Sequence, residues 1–422
     1  MQKVVIAEGI NLYMLPDEKF KNCVTSVFFS VPLKRETASA VALIPKLLTA
    51  SNAKYKDRQS LNLELENMYG ARLQAFADKV GETQIIGFVG DSVADRYTGE
   101  QTESEMFSLL AEIITNPRKT DHRFDERVLE REKKSLIEKI ESVVNDKRQY
   151  AMVRLVEEMC KDEPFAIRAE GNTEDVQALT AERVYEVYMD VLQNEPVDIL
   201  IAGAFDVERA MKNASVFATK LGSRKAERKR KNDIHVPEHV KYVRDKEPVT
   251  QGKLVIGYRT EIDPLSEEYY TLMVYNSIFG GSTSAKLFNE VREKMSLCYY
   301  ASSGIERMKG LLFVQSGIEF ANYEVALEAI RKEAKAIEKG EISRAEFEGA
   351  KNSIINQLRS CKDTPAALIS FYARQLPLGV LTEIDLVIKK IMAVVPEQIP
   401  IVARLIHEDT VYFLDGREGK AV

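Results

Sequence analysis

The sequence predicts an α+β fold of two homologous halves, each a mostly antiparallel sheet covered by helices. The chain has 422 residues, more than one ordinary core holds, which indicates at least two domains. Its predicted strands come in hairpins and its helices follow in pairs, a pattern that favours antiparallel sheets with helices on their faces. The same order of elements then restarts in the second half, where Ala350 to Leu358 repeats the pattern of Glu132 to Ile140.

The first half opens with strand signals and continues with apolar stripes at helical spacing. Thr102 and Glu105 have the spacing of a capping box at the start of one helix. Strands are predicted at Val4–Ala7, Leu12–Leu15, Cys23–Leu33, Arg72–Asp78, Thr83–Val89 and Val197–Ala204, and helices at Thr37–Thr49, Asp57–Tyr69, Thr102–Thr115, Phe124–Val144, Asp146–Cys160 and Thr180–Leu192.

The second half repeats this programme. Ser343 and Glu346 have the spacing of a second capping box. Strands are predicted at Lys253–Tyr258, Leu297–Ala301, Gly310–Ile318 and Thr410–Leu414, and helices at Ser266–Phe279, Leu287–Met295, Asn322–Lys339 and Ser343–Arg359.

A basic segment separates the halves. Arg224 to Lys231 contains six basic residues in eight, which suggests a patch for an anionic partner or, as the alternative we favour, a solvated linker. The predicted domains are an N-terminal half at 1–222, a basic linker at 223–238 and a C-terminal half at 239–422.

Composition excludes several classes of protein. The net charge of −6 argues against a general nucleic-acid binder, and no apolar run is long enough to cross a bilayer. The N-terminus lacks the pattern of a signal peptide. Four dispersed cysteines without a CxxC indicate reduced thiols in a cytoplasmic protein, with a nucleophilic Cys298 as the minor alternative.

Gly280 to Ser303 predicts a polar turn, a helix, a loop and a strand. Leu287, Phe288 and Val291 form one face of the helix. Arg292 lies in its last turn and Tyr299 in the strand that follows. A cation and a phenol so placed could both face one substrate, or they could be a helix-terminal cation and a half-buried strand aromatic.

This stretch, GGSTSAKLFNEVREKMSLCYY, resembles the insulinase/pitrilysin-type zinc peptidases in their short form, which includes the subunits of mitochondrial processing peptidase. The family pattern reads roughly G-G-x-S-x-L-F-x-x-x-R-E-x-x-G-L-A-Y, and Ser296 and Cys298 depart from its small residues. The resemblance covers nearly the whole chain and implies a metallohydrolase-like fold in which Arg292 and Tyr299 hold the substrate backbone. The matching residues are Gly280, Gly281, Leu287, Phe288, Arg292, Glu293, Leu297 and Tyr299.

The family's metal motif, H-x-x-E-H with a distal glutamate, is degenerate here. Two imidazoles four residues apart on a helix bind zinc, and the glutamate between them activates water. By resemblance, Ala42 replaces the first histidine, Pro45 the base, Lys46 the second histidine and Lys139 the distal glutamate. We therefore expect no metal or other cofactor in this chain, and zinc only in a partner subunit.

The letters H-x-x-E-H do occur elsewhere in the sequence, at His235 to His239. Pro237 inside the motif argues against the helix that zinc binding needs, so a polar loop is favoured over a metal site.

The resemblance implies a non-catalytic subunit that completes the site of an H-x-x-E-H-bearing paralogue in a heterodimer and binds a peptide substrate. Asn145 to Ile167 is similar to inactive members of such paired systems in Gram-positive bacteria. Neither nucleic acid nor membrane is an expected partner, and a homodimer of the isolated chain stays open. The alternatives are an active zinc endopeptidase that uses His235 and His239, and a purely structural scaffold.

Overall fold

The computed structural model describes residues 1–222, 224 and 235–416. The strands are β1 Gln2–Ala7, β2 Ile10–Pro16, β3 Asn22–Pro32, β4 Arg72–Val80, β5 Thr83–Val93, β6 Lys119–Thr120, β7 Arg123–Phe124, β8 Val197–Gly203, β9 Lys241–Glu247, β10 Gly252–Thr260, β11 Cys298–Glu306, β12 Leu311–Ile318 and β13 Ile406–Gly416. The helices are α1 Arg35–Ala50, α2 Arg58–Asn67, α3 Asp95–Thr98, α4 Thr102–Thr115, α5 Glu126–Ser142, α6 Lys147–Met159, α7 Thr173–Ala178, α8 Ala181–Asn194, α9 Val207–Leu221, α10 Glu268–Asn276, α11 Tyr323–Glu338, α12 Arg344–Ser360, α13 Pro365–Ala373, α14 Ile384–Ala393 and α15 Gln398–Ala403.

The first compact unit contains the described residues of Met1–Glu141, Ile167–Arg230 and Cys361–Leu381. Its six-stranded sheet has the order β1-β2-β8-β3-β5-β4. The β2–β8 pair is parallel, and the other pairs are antiparallel. Helices α1 and α4 pack on β5, and α13 packs on β3 and β8. Strand β3 is buried along almost its whole length because side chains on both of its faces are covered.

The second unit contains the described residues of Ser142–Ala166, Lys231–Ser360 and Thr382–Val422. Its five-stranded sheet has the order β11-β12-β10-β13-β9, in which only the β13–β9 pair of these strands is parallel. Helix α6 packs on β10 and β13, and the π-helical segment Leu287–Lys294 packs on β11.

The two sheets share one topology, which confirms the predicted duplicated α+β architecture. The path β4-β5-β3-β8-β2 of the first sheet corresponds to β11-β12-β10-β13-β9 of the second, including the parallel pair at the same place. The aligned helices α5 and α12 also bury equivalent side chains, Leu136 and Ile140 in one and Ile354 and Leu358 in the other.

The compact units and the predicted sequence halves are different divisions of the chain. Each unit includes a segment from the other half of the sequence: α6 belongs to the second unit and α13 to the first. The halves at 1–222 and 239–422 stay a prediction about the repeat.

Most of the basic linker lies outside the described residues, but Arg224 is described. It is buried, and its guanidinium donates to the carbonyls of Glu195 and Leu221. At this position the expectation of a solvated linker is wrong.

Two local predictions about helix caps had different outcomes. The capping box at Ser343 and Glu346 forms, with each side chain bonded to the other residue's backbone N–H. The one at Thr102 and Glu105 does not, because the Thr102 hydroxyl donates instead to the carbonyl of Val93. Within the described ranges, no helix combines the length and the apolar character needed to cross a membrane.

Candidate functional site

We call Ala42, Pro45, Lys46 and Lys139 the degenerate metal site. The first three of these residues lie on helix α1. Ala42 is a buried methyl group with no donor atom for a metal. Pro45 lies inside the helix, where it lacks a backbone N–H and offers no carboxylate for proton transfer. Lys46 is one residue further along and only partly buried.

Helix α5 supplies the fourth position and a buried carboxylate. The Lys139 ammonium lies 2.7 Å from a carboxylate oxygen of Glu170. Burial alone would raise the pKa of Glu170, but the hydrogen bond and charge of Lys139 outweigh it and hold that pKa below its usual value. Glu132 lies seven residues before Lys139, hence on the same helix face, and its side chain is only 3% exposed.

Two arginines donate hydrogen bonds to the Glu132 carboxylate. Arg58 of α2 binds both oxygens at 3.1 and 3.0 Å, and Arg131 approaches at 3.1 Å. A single guanidinium nitrogen of Arg58 thus bridges the two carboxylate oxygens, and these contacts together with that of Arg131 leave few lone pairs for another ligand. Glu132 belonged to the repeat, but sequence reasoning did not identify it as part of the site; its place one heptad before Lys139 was the available signal.

Lys46 adds a further positive charge to this region. Burial is the main cause that lowers the pKa of its ammonium, and the neighbouring charges of Lys139 and Arg58 act in the same direction, against Glu132 and Glu170. The side chains of the degenerate metal site therefore do not fit zinc, because those of Ala42 and Pro45 have no donor atom and those of Lys46 and Lys139 are cations. Among residues 1–222, 224 and 235–416, no group of three or more His, Cys, Asp or Glu could hold a metal ion.

The H-x-x-E-H sequence at His235 to His239 lies in irregular structure. His235 and His239 precede β9, both are exposed, and no helix includes them. The one-turn spacing that would bring two imidazoles to one metal is thus absent there.

Arg292 lies in the π-helical segment Leu287–Lys294, whose wider turn interrupts regular α-helical spacing. Its guanidinium is 4.7 Å from the ring centroid of Phe288 and 3.5 Å from the Glu293 carboxylate. With 41% of its side chain exposed, it remains accessible to a ligand.

Tyr299 lies at a β-bulge, next to the start of β11. Cys298 pairs with Ile318 and Tyr300 with Gly317, so Tyr299 is the extra residue between two paired ones. Bulges re-aim side chains out of the regular alternation, and Tyr299 is 64% exposed.

The charge of Arg292 acts on the thiol of Cys298, the residue before Tyr299. Burial raises its pKa, while a hydrogen bond with Ser316 and the positive charge of Arg292 oppose that rise. Arg292 therefore lies close to the residue that precedes Tyr299. The raised pKa and the burial of Cys298 also argue against the alternative of a nucleophilic thiolate.

The glycines before Arg292 allow close packing. A Cβ on Gly280 would lie 2.7 Å from the backbone nitrogen of Ser303 and 2.8 Å from a methyl carbon of Leu287. The Ser303 hydroxyl in turn donates to the Asn276 amide oxygen at 2.7 Å. Gly280 thus lets the segment that carries Arg292 rest directly on β11.

Known proteins resemble this chain in sequence and in fold. Residues 178–354 match the family model described as the peptidase M16 inactive domain. The chain is 34% identical, over 97% of both proteins, to the "Probable inactive metalloprotease YmfF" of Bacillus subtilis (strain 168). It is 27% identical to the "Uncharacterized zinc protease YmxG" of the same strain over 44% of this chain and 46% of that protein. A solved structure of a conserved protein from Enterococcus faecalis V583 covers 100% of this chain and 99% of its own, with a TM-score of 0.89 and 29% identity.

Proposed function

Since the chain belongs to the peptidase M16 family and its nearly full-length similarity is to a probable inactive member, we propose that it is a non-catalytic subunit. In this proposal it pairs with a zinc-bearing paralogue and contributes Arg292 and Tyr299 to the binding of a peptide substrate.

One contrast within the chain carries the proposal. The degenerate metal site offers a methyl group, a proline and two lysines, whereas Arg292 and Tyr299 are exposed and stand in a frame that matches the family motif. A pure scaffold would need neither zinc binding nor substrate binding. It would give no reason for the metal site to be degenerate while the Arg292 and Tyr299 frame still matches the family motif.

The chemistry of the two side chains suits a peptide backbone. Arg292 can donate charge-assisted hydrogen bonds to carbonyl oxygens, and the Tyr299 hydroxyl can donate or accept one. Zinc held by the paralogue would polarise the scissile carbonyl and activate water. The role of this chain is to hold the peptide in register for that step.

The test is a cleavage assay of the complex with an H-x-x-E-H-bearing paralogue. Arg292→Ala removes a charged hydrogen bond worth about 1.5–3 kcal/mol, so kcat/KM should fall about 10- to 100-fold. Tyr299→Phe removes a neutral one and should lower kcat/KM about 3- to 10-fold.

Lys294→Ala is the matched control. Lys294 is an exposed cation of the same segment, bonded to Glu290 at 2.6 Å, and its loss should leave cleavage unchanged. Cleavage that is equal in the wild-type and Arg292→Ala complexes would show that the chain is a scaffold only.

The active-peptidase alternative has its own measurement, the zinc content of the purified chain. We expect His239→Ala to leave that content unchanged, since His239 lies outside any helix. Stoichiometric zinc in the wild-type chain that is lost in His239→Ala would refute the proposal and favour an active zinc peptidase. The mass of the purified chain in solution gives its oligomeric state and would reveal a homodimer.

A further inference from the structure

A cationic patch surrounds the ring of Tyr300, the residue after Tyr299, on the α6 side of the second sheet. We call Arg148, Lys253 and Tyr300 the Arg148 patch. Arg148 comes from the first turn of α6, Lys253 from β10 and Tyr300 from the edge strand β11. All three belong to the second unit, and none of them is among the residues that match the family pattern.

Arg148 is held in place by β11 and β12. Its Nε donates to the Gln315 amide oxygen at 2.8 Å, and one Nη donates to the Ser302 hydroxyl at 3.2 Å. Its guanidinium lies 4.4 Å from the centroid of the Tyr300 ring. The contacts orient the cation while leaving it exposed to solvent.

The Tyr300 ring packs against the neighbouring strand β12. It lies across Gly317 of β12, where a Cβ would come within 2.5 Å of a ring carbon. The Lys253 ammonium is 5.9 Å from the same ring centroid and donates to the Gln251 amide oxygen. Burial raises the pKa of Tyr300 to about 12, so its hydroxyl stays protonated at neutral pH.

The positive charge of the patch is not neutralised by an ion pair. Among the described residues, no carboxylate lies within 4.0 Å of Arg148 or Lys253, although most arginines of α6 and the second sheet have one. Asp146 is the acidic group that acts on both Tyr300 and Lys253, and its carboxylate already caps α6 by accepting from two backbone N–H groups. Two cations against Asp146 leave a single net positive charge, which matches one carboxylate.

We propose that the Arg148 patch is a subsite for an acidic side chain of the peptide that Arg292 and Tyr299 bind. The inference rests on the proposed function and gives it a substrate preference. Tyr299 and Tyr300 are consecutive residues at the β-bulge, where the regular alternation of side chains is broken, and their Cα atoms are about 3.8 Å apart. A peptide bound at the first residue is therefore within side-chain reach of the patch around the second. The guanidinium would pair with the carboxylate, with the Tyr300 hydroxyl as a second donor.

The test uses the full chain and two dye-labelled peptides that differ only in Glu/Asp against Gln/Asn at matching positions. Binding is measured by fluorescence anisotropy at low ionic strength. The acidic peptide should bind about fivefold more tightly, as expected for one partly exposed ion pair. Arg148→Gln should remove that preference without changing the affinity of the neutral peptide, and Lys253→Gln should reduce it.

Arg404→Gln is the matched control, because Arg404 is an exposed arginine of the same unit in another element. An equal loss in Arg404→Gln, no preference in the wild type, or no binding of the acidic peptide would overturn the subsite. Arg292→Ala separates the two proposals: it should weaken both peptides equally, and an unchanged affinity for both would refute the proposed function instead.

Discussion

Glu163 should be one of the most stabilising charged side chains of the second unit. It follows α6, accepts a hydrogen bond from Arg259 at 2.5 Å and forms an ion pair with the Lys309 ammonium at 2.7 Å. The side chains of both cations are at most 7% exposed. Burial alone would raise the pKa of Glu163, but the hydrogen bond from Arg259 and the positive charges of Arg259 and Lys309 hold it below its usual value.

Replacing Glu163 by Ala leaves two buried cations with one carboxylate fewer. Arg259 keeps Asp409 at 2.6 Å, so the loss should lie at the lower end of the range for breaking a buried pair, about 3 kcal/mol. Since 1.4 kcal/mol is a factor of ten, amide protection in α6 and β10 should fall about 100-fold. Native-state hydrogen exchange read by mass spectrometry measures that factor directly.

Glu338→Ala is the control for this experiment. Glu338 pairs with Lys335 at a similar distance, 2.8 Å, but both side chains are at least one-third exposed, so the change should be under about 1 kcal/mol. The effect of Glu163→Ala should also shrink as the pH falls below about 4.5, because the stabilisation from a carboxyl with a lowered pKa is lost in acid. Equal protection in the two variants at neutral pH would refute the argument from burial.

Three further outcomes are expected. Burial raises the pKa of Glu195 to about 7 from an ordinary 4.5; the folded state therefore holds the proton more tightly, the stabilisation is complete below pH 4.5, and it is lost as the pH rises towards 7. The free energy of unfolding, measured with urea, should differ between pH 5 and pH 8 by about 1–2 kcal/mol less in Glu195→Gln than in the wild type. An equal difference in both proteins would contradict this. Gly280→Ala should destabilise the chain by about 1–3 kcal/mol in urea unfolding, whereas Gly304→Ala, whose Cβ meets nothing within 4 Å, should not; equal effects would remove the packing argument. Lys46→His alone should bind no zinc by elemental analysis, and only restoration of histidine, histidine and glutamate at the three ligand positions of the degenerate metal site should do so; zinc in the single variant would show that other donors are present.

The regular elements could be predicted because their signals are local. Long apolar stripes placed α4, and runs of β-branched residues placed β3 and β8, within two residues of their observed ends. Strand β9, Lys241–Glu247, was missed because its charged sequence has little strand character and its place depends on a parallel partner far along the chain.

Non-local features explain the other misses. The exchange of α6 and α13 between compact units leaves no mark on either helix's own periodicity. Thr102 had the right spacing for a cap, but its hydroxyl donates to the carbonyl of Val93, a strand residue that tertiary packing brings near. For the candidate site, the motif indicated Arg292 and Tyr299, whereas the arginines around Glu132 depend on which helices meet in space.

The position of α13 in the sequence has a consequence for synthesis on the ribosome. Its residues, Pro365–Ala373, cover part of β3 and β8, yet they are translated long after both strands. At about 5–20 residues per second, the intervening stretch takes roughly 10–30 s to emerge. Throughout that interval the parts of β3 and β8 that α13 covers lack that cover, so the nascent chain should depend on chaperones until α13 has been made.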